Sequence, residues 1–186
     1  MSEKTMRGVY FSGETKEVVI KDYPIPQIGP AQALVKVECS LISAGTETFM
    51  IDSAAKDGRN LTNLGYQAVG SIVEKGPEVP YDVGTRVAVY GGPYVAHHEY
   101  LAVPRNLMVP LKPETVSEEA AFVGLGAISI HGLRAAKLEF GESCWVIGLG
   151  TIGQLTAQIA VNAGYQVIAT DFDEKKIELA KKAGVD

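Results

Sequence analysis

The sequence predicts a strand-rich barrel or rolled sheet followed by an α/β unit, and three observations predict it. Up to about residue 112, apolar and polar residues alternate in short runs broken by glycine and proline. After Pro113 the apolar spacing lengthens to that of a helix. From Ser143 onward strand and helix patterns alternate about one glycine-rich turn. The chain is therefore expected to divide into residues 1–124 and 125–186.

In the first part, Ala33, Val35, Val37 and Cys39 are expected on one face of a half-buried strand, with Lys36, Glu38 and Ser40 on the other. Pro24, Pro26 and Pro30 punctuate the approach to this strand, and Gly76-Pro77 follows the next. Gly91-Gly92-Pro93 separates a strand at Arg86–Tyr90 from one at 95–103. Beyond Pro113, Ser117 is a suitable N-cap, Glu118 and Glu119 suit a first turn, and Arg134 and Lys137 suit a last one, so one long helix is expected. There follow a strand at 144–147, the glycine turn, a helix at 152–163, a strand at Gln166–Thr170 and a helix at 174–183. Neither part contains an internal repeat or a low-complexity tract.

Composition narrows the function classes. The chain has 186 residues, 46% hydrophobic and 21% charged, enough apolar material for a folded core. Its 17 basic and 22 acidic residues leave a net charge of -5, which offers no basic footprint for nucleic acid or an anionic membrane and favours a small-molecule substrate. The N-terminal MSEKTMRGVYF lacks an apolar signal region, and no apolar run is long enough to span a bilayer, so a cytoplasmic protein is expected. Cys39 and Cys144 belong to no C-x-x-C pair, which argues against a disulfide framework and a zinc knuckle.

Gly148-Leu149-Gly150-Thr151-Ile152-Gly153 leaves an apolar strand and opens a helix, and Asp171 ends the next strand. This is the arrangement of a dinucleotide-binding turn. Gly148 allows the tight turn, Gly150 lets a pyrophosphate approach the backbone, and Gly153 lets the helix pack on the strand. Free N–H groups at the helix start then bind phosphate. Asp171 would accept hydrogen bonds from the ribose hydroxyls and repel a 2′-phosphate, so NAD(H) is expected in preference to NADP(H).

Other stretches carry a family resemblance. ALVKVECSLISAGTE, LGYQAVGSIVEKGPEV, YDVGTRVAVYGG and HHEYLAVPRNLMVPLKPETVSEEAAF, in that order before the glycine turn, resemble the medium-chain dehydrogenase/reductase superfamily of alcohol dehydrogenases and quinone reductases. The resemblance covers essentially the whole chain. It implies a β-rich GroES-like barrel followed by a Rossmann-type dinucleotide-binding domain, of which only the first part is expected here. The chain is thus expected to be incomplete, with the nicotinamide side of the cofactor site beyond Asp186. The complete protein is expected to form a homo-dimer or tetramer.

Zinc-dependent members carry Gly-His-Glu where this sequence has Gly65-Tyr66-Gln67. By the same resemblance the other zinc-ligand positions fall at Ser43 or Ala44 and at Leu125. None of these is a family zinc ligand, so no zinc is expected. His97 and His98 are adjacent on an expected strand and would point to opposite faces; His131 is expected to be structural. Tyr66, Thr46, Glu47 and Gln67 become the catalytic candidates. Tyr66 either donates a proton to a substrate oxygen during hydride transfer or fills the space left by the metal. Thr46 and Glu47 lie in a loop, 43–47, that would line the cleft, though Gly-Thr-Glu is also turn chemistry.

The resulting expectation is an NAD(H)-dependent oxidoreductase acting on a small alcohol or carbonyl compound without catalytic zinc. A zinc-free quinone or enoyl reductase and a non-catalytic nucleotide-binding module are the alternatives. The Gly-Thr-Glu loop also brings to mind the chlorophyllide-type and bi-domain oxidoreductases.

Overall fold

The computed structural model describes residues 4–139 and 141–185 and divides into two units, Met1–Val123 and Gly124–Asp186. In the first, β1 (Thr5–Ser12) and β2 (Glu17–Pro24) form an antiparallel hairpin, and the short β4 (Thr62–Asn63) pairs with β1's other edge. β3 (Gln32–Ser40), β5 (Gln67–Lys75), β6 (Arg86–Tyr90), β7 (Tyr100–Pro104) and β8 (Met108–Pro110) form a five-stranded sheet ordered β7-β3-β5-β6-β8. All its pairings are antiparallel. Alternate residues from these strands, Ala33, Val35, Ala68, Ile72, Val87, Val89, Leu101 and Val103, make the inner core. Val35, Val87 and Val103 are wholly buried, and each such side chain contributes about 1.5–3 kcal/mol.

The β3–β5 register shifts twice, between Leu34 and Val35 and between Val37 and Cys39, and the second shift has a consequence for the site. Pairing of β3 with β5 slips between Val37 and Cys39: Val37 pairs with Gly70 and Cys39 with Val69, leaving Glu38 as the extra residue of a bulge. Val37 therefore packs on the inner core, while Cys39 packs on an outer cluster with Val69, Ala88, Ala120 and Ala121. The expectation that Val37 and Cys39 share a face is corrected: one inserted residue reverses every side chain beyond it. Ser40 pairs with Ala68, a member of the inner core, and not with the solvent-facing set.

Residues 43–47 are not a loop. They open α1 (Ala44–Asp57), a helix the turn-like composition concealed. Met50, Ile51, Ala54 and Ala55 recur at helical spacing and pack with Phe11 and Leu64. Gly58, at φ 65, closes α1 by donating its N–H to the Ala54 carbonyl.

The expected long helix is divided into α2 (Ser117–Ala120) and α3 (Val123–Ala135). Ser117 does not cap it, because Val116 holds that position and the Ser117 hydroxyl is engaged elsewhere. It donates to Glu38 at 2.7 Å and accepts from Arg86 Nη2 at 2.7 Å. The expected strand at 95–103 shrinks to β7, so His97 and His98 precede the strand, held in part by a single bridge between Gly8 and His98.

The second unit contains a parallel pair, β9 (Ser143–Ile147) and β10 (Gln166–Thr170), joined through α4 (Thr151–Asn162) and followed by α5 (Glu174–Lys182). Leu149, Ala157, Ala160, Val167 and Ala180 form its core. Asp173 caps α5, accepting the Lys175 N–H at 2.9 Å. No helix of the described residues is long and apolar enough to cross a membrane.

Candidate functional site

The glycine turn follows β9 directly. Gly148 sits at φ 90, a conformation that side-chain-bearing residues rarely adopt, and its N–H donates to the Thr170 carbonyl at 2.8 Å. A Cβ on Gly153 would lie 1.9 Å from the Gly148 carbonyl oxygen, so α4 can approach β9 this closely only with glycine there. Gly150 differs: nothing lies within 4 Å of where its Cβ would be. It is the N-cap of α4, and the N–H groups of Thr151 and Ile152 in the first helical turn have no intrahelical acceptor. Open backbone at Gly150 beside these donors fits the pyrophosphate of a dinucleotide. Leu149 turns inward, 1% exposed, and contributes packing through its side chain.

Asp171 is tied to this turn. Its carboxylate accepts the Leu149 N–H at 2.7 Å and the Asp173 N–H at 2.9 Å, with Lys176 Nζ at 3.7 Å. The Asp173 and Leu149 amides hold its pKa below the usual carboxylate range, so it is ionised at neutral pH. Gln154 straps α4 to α5 by donating from Nε2 to the Lys176 carbonyl at 2.7 Å.

In the first unit the structure brings Glu47, His97, Ser40 and Gly65 together. Glu47 is 6% exposed although acidic, and both carboxylate oxygens are engaged. Oε1 accepts the Ser43 N–H at 2.7 Å, reaching back to the N-cap of α1 from one position beyond that of a capping-box residue, and Oε2 lies 3.0 Å from His97 Nε2. His97 Nδ1 is 2.8 Å from Ser40 Oγ. A carboxylate only accepts, so Nε2 carries a proton; Nδ1 then accepts from Ser40 in a neutral ring or donates to it in a charged one. The bulge at Glu38 is what turns Ser40 toward this ring.

His97 is also fixed through its backbone. Its N–H donates to the Leu64 carbonyl at 2.8 Å, and its carbonyl accepts the Val9 N–H at 2.9 Å. The ring covers Gly65, which is at φ 87; a Cβ there would be 2.7 Å from the imidazole. The neighbouring His98 ring turns the other way, toward Gly8 and Tyr10, and burial together with His97 pushes its pKa below the usual imidazole range. Opposed side chains were legible from adjacency. The engagement of His97 with Glu47 was not, because no spacing rule links residues 47 and 97.

The remaining candidates are neighbours in sequence of Gly65 and Glu47. Tyr66 is half-buried, its ring edge-on to Tyr90 with centroids 5.7 Å apart, and its carbonyl accepts the Gly91 N–H at 2.8 Å. Among the described residues its hydroxyl has no hydrogen-bond partner in the protein. Gln67 begins β5, 1% exposed, and neither its amide oxygen nor its amide nitrogen has a partner among the described residues. Such a group calls for ordered water or a ligand. Thr46 is exposed on the first turn of α1, and no hydrogen bond among the described residues joins its side chain to the His97 group.

The positions that the resemblance assigns to zinc ligands hold no customary one. Ser43, Ala44 and Tyr66 are not customary ligands, and Leu125 is a buried apolar residue of α3. Among the described residues, no three His, Cys, Asp or Glu side chains converge as a metal site. Cys39 is a poor nucleophile or ligand, its thiol pKa raised by burial and by Glu118 and Glu38.

Comparison with known proteins agrees with this architecture. No family model matches the chain. L-threonine 3-dehydrogenase of Streptomyces avermitilis is 31% identical over 198 residues, 89% of this chain and 57% of that protein. Sorbitol dehydrogenase of Bacillus subtilis is 28% identical over 204 residues, 91% of this chain and 57% of that protein. The chain thus spans less than two thirds of the length of these relatives. Among solved structures, a quinone oxidoreductase of Coxiella burnetii superposes with a TM-score of 0.85 at 21% identity, covering 98% of this chain and 61% of that one. A mycobacterial protein complexed with NADPH gives 0.81 at 25% identity, covering 97% and 56%. Its strand-rich unit, its glycine turn after β9 and these relatives are consistent with the medium-chain dehydrogenase/reductase superfamily.

Proposed function

We propose that the protein transfers a hydride between a nicotinamide dinucleotide and a small alcohol or carbonyl compound, prefers NAD(H) to NADP(H), and uses no zinc ion. The observation that carries the cofactor reading is the Asp171 carboxylate, ionised and held by the Leu149 amide beside the open backbone of Gly150. When bound, the dinucleotide supplies the hydride donor or acceptor. The chain's own part is to hold phosphate on the first amides of α4 and to present Asp171 to the ribose. The fixed negative charge of Asp171 disfavours a 2′-phosphate; Lys176 opposes this weakly, being half-exposed and screened by solvent.

Without a metal to polarise the substrate oxygen, hydrogen-bond donors must serve. Tyr66, whose hydroxyl makes no bond within the described protein, is the proposed proton donor, and the exposed Thr46 hydroxyl a second donor. Glu47 is too buried to meet a substrate directly and acts through the start of α1 that carries Thr46, while the unpartnered amide of the buried Gln67, next to Tyr66 in sequence, is left to bind water or ligand. The test is an assay of the complete protein against a panel of small alcohols and carbonyl compounds, following nicotinamide absorbance. Turnover with NAD(H) supports the reading; absence of turnover across the panel, with NADP(H) as well, contradicts it.

A further inference from the structure

We propose that His97 is a positioning residue for this reaction, one imidazole that sets both Thr46 and Tyr66; the proposal rests on the hydride-transfer reading above. Toward Thr46 the connection runs through Glu47. That carboxylate is the one buried acidic side chain among the described residues, and burial of a charge is costly unless it is hydrogen-bonded. Its two oxygens meet the Ser43 amide on one side and His97 on the other, so Ala44, Gly45 and Thr46 are bracketed between the N-cap and a fixed carboxylate. Without it, a helix start containing glycine would fray.

Toward Tyr66 the connection is steric. The His97 ring rests on Gly65 at a distance that leaves no room for a Cβ, and Gly65 is the residue whose left-handed backbone directs the chain into Tyr66. The ring is immobilised by Ser40 at Nδ1, by Glu47 at Nε2 and by its two backbone hydrogen bonds to Leu64 and Val9. Among the described residues no hydrogen bond joins the imidazole to either proposed donor, yet displacing it releases the support of both.

The experiment compares His97→Gln, which keeps a donor for Glu47, with His97→Phe, which does not, and adds Glu47→Gln and the double variant His97→Phe/Glu47→Gln. Two readouts are taken on the complete protein. In turnover, His97→Phe should lower kcat by about 10- to 100-fold, the scale of a misplaced catalytic group, while NADH affinity stays within about twofold. His97→Gln should recover most of that loss, and the double variant should be no worse than the poorer single one. In hydrogen exchange, amides 43–47 should exchange faster in His97→Phe and in Glu47→Gln than in the parent, with His97→Gln close to the parent. The second readout needs no substrate, so it stands if the assay finds no turnover. Unchanged exchange at 43–47 in folded His97→Phe or Glu47→Gln overturns the proposal, as does an unchanged kcat. Should His97→Phe fail to fold, Glu47→Gln carries the test. Labelling of Ser40 by a fluorophosphonate would show instead that the Ser40-His97-Glu47 array activates a nucleophile, and would also overturn it.

Discussion

The Asp171 carboxylate accepts the Leu149 N–H at 2.7 Å, so the acid that follows β10 is hydrogen-bonded to the middle of the glycine turn that follows β9. One side chain therefore shapes the turn and presents a negative charge beside it. Because the folded-state pKa is depressed, this interaction stabilises the fold above the unfolded carboxylate pKa, about 4, and is lost as pH falls through the lower folded value. Asp171→Asn should lower the thermal midpoint near neutral pH, and the gap to the parent should close as acid titrates the carboxylate. Thermal melts of both proteins across pH check this. A gap that stays constant into acid would show the charge to be immaterial.

Two glycines of the turn should fail differently. A side chain at Gly153 meets the Gly148 carbonyl, whereas one at Gly150 meets nothing within 4 Å. Gly153→Val should destabilise the fold by about 1–3 kcal/mol or more. Gly150→Val should melt like the parent yet bind NADH at least about tenfold more weakly, since the side chain occupies the space assigned to pyrophosphate. Calorimetric melts and NADH fluorescence titrations of the pair separate packing from ligand approach.

Tyr66→Phe keeps the half-buried ring against Tyr90 and removes only the hydroxyl. Turnover should fall by about 10²-fold or more if that hydroxyl donates a proton, with NADH affinity nearly unchanged. Tyr66→Ala should in addition cost roughly 1–3 kcal/mol of stability, less than a fully buried ring would. Near-parental turnover in the phenylalanine variant would reduce Tyr66 to a spacer and leave Thr46 as the proton donor to test.

Period and punctuation sufficed where each element obeys one local rule. β6, β9, β10, α4 and α5 lie within one or two residues of their expected bounds, and the turn between β9 and α4 announces itself by glycine spacing. What escaped depended on tertiary partners. Glu38 becomes a bulge residue because Arg86, Ser71 and Ser117 gather on its carboxylate, and nothing local to β3 signals that. α1 was hidden because Gly45, Thr46 and Ser53 resemble turn residues, while the contacts that favour helix come from Phe11 on β1 and from Leu64 just after β4. His97 was undervalued for the same reason: its partners Ser40 and Glu47 are more than 49 residues away in sequence.

The claim of hydride transfer without zinc is tested most directly by turnover of the complete protein after exhaustive chelation, with metal content measured on the same sample. By the family resemblance the zinc-ligand positions fall at Ser43 or Ala44, at Tyr66 and at Leu125, none of them a customary zinc ligand. The account predicts far less than one zinc per chain and an NAD(H)-linked rate unchanged by the chelator. Activity that disappears on chelation and returns on adding one equivalent of zinc would contradict it.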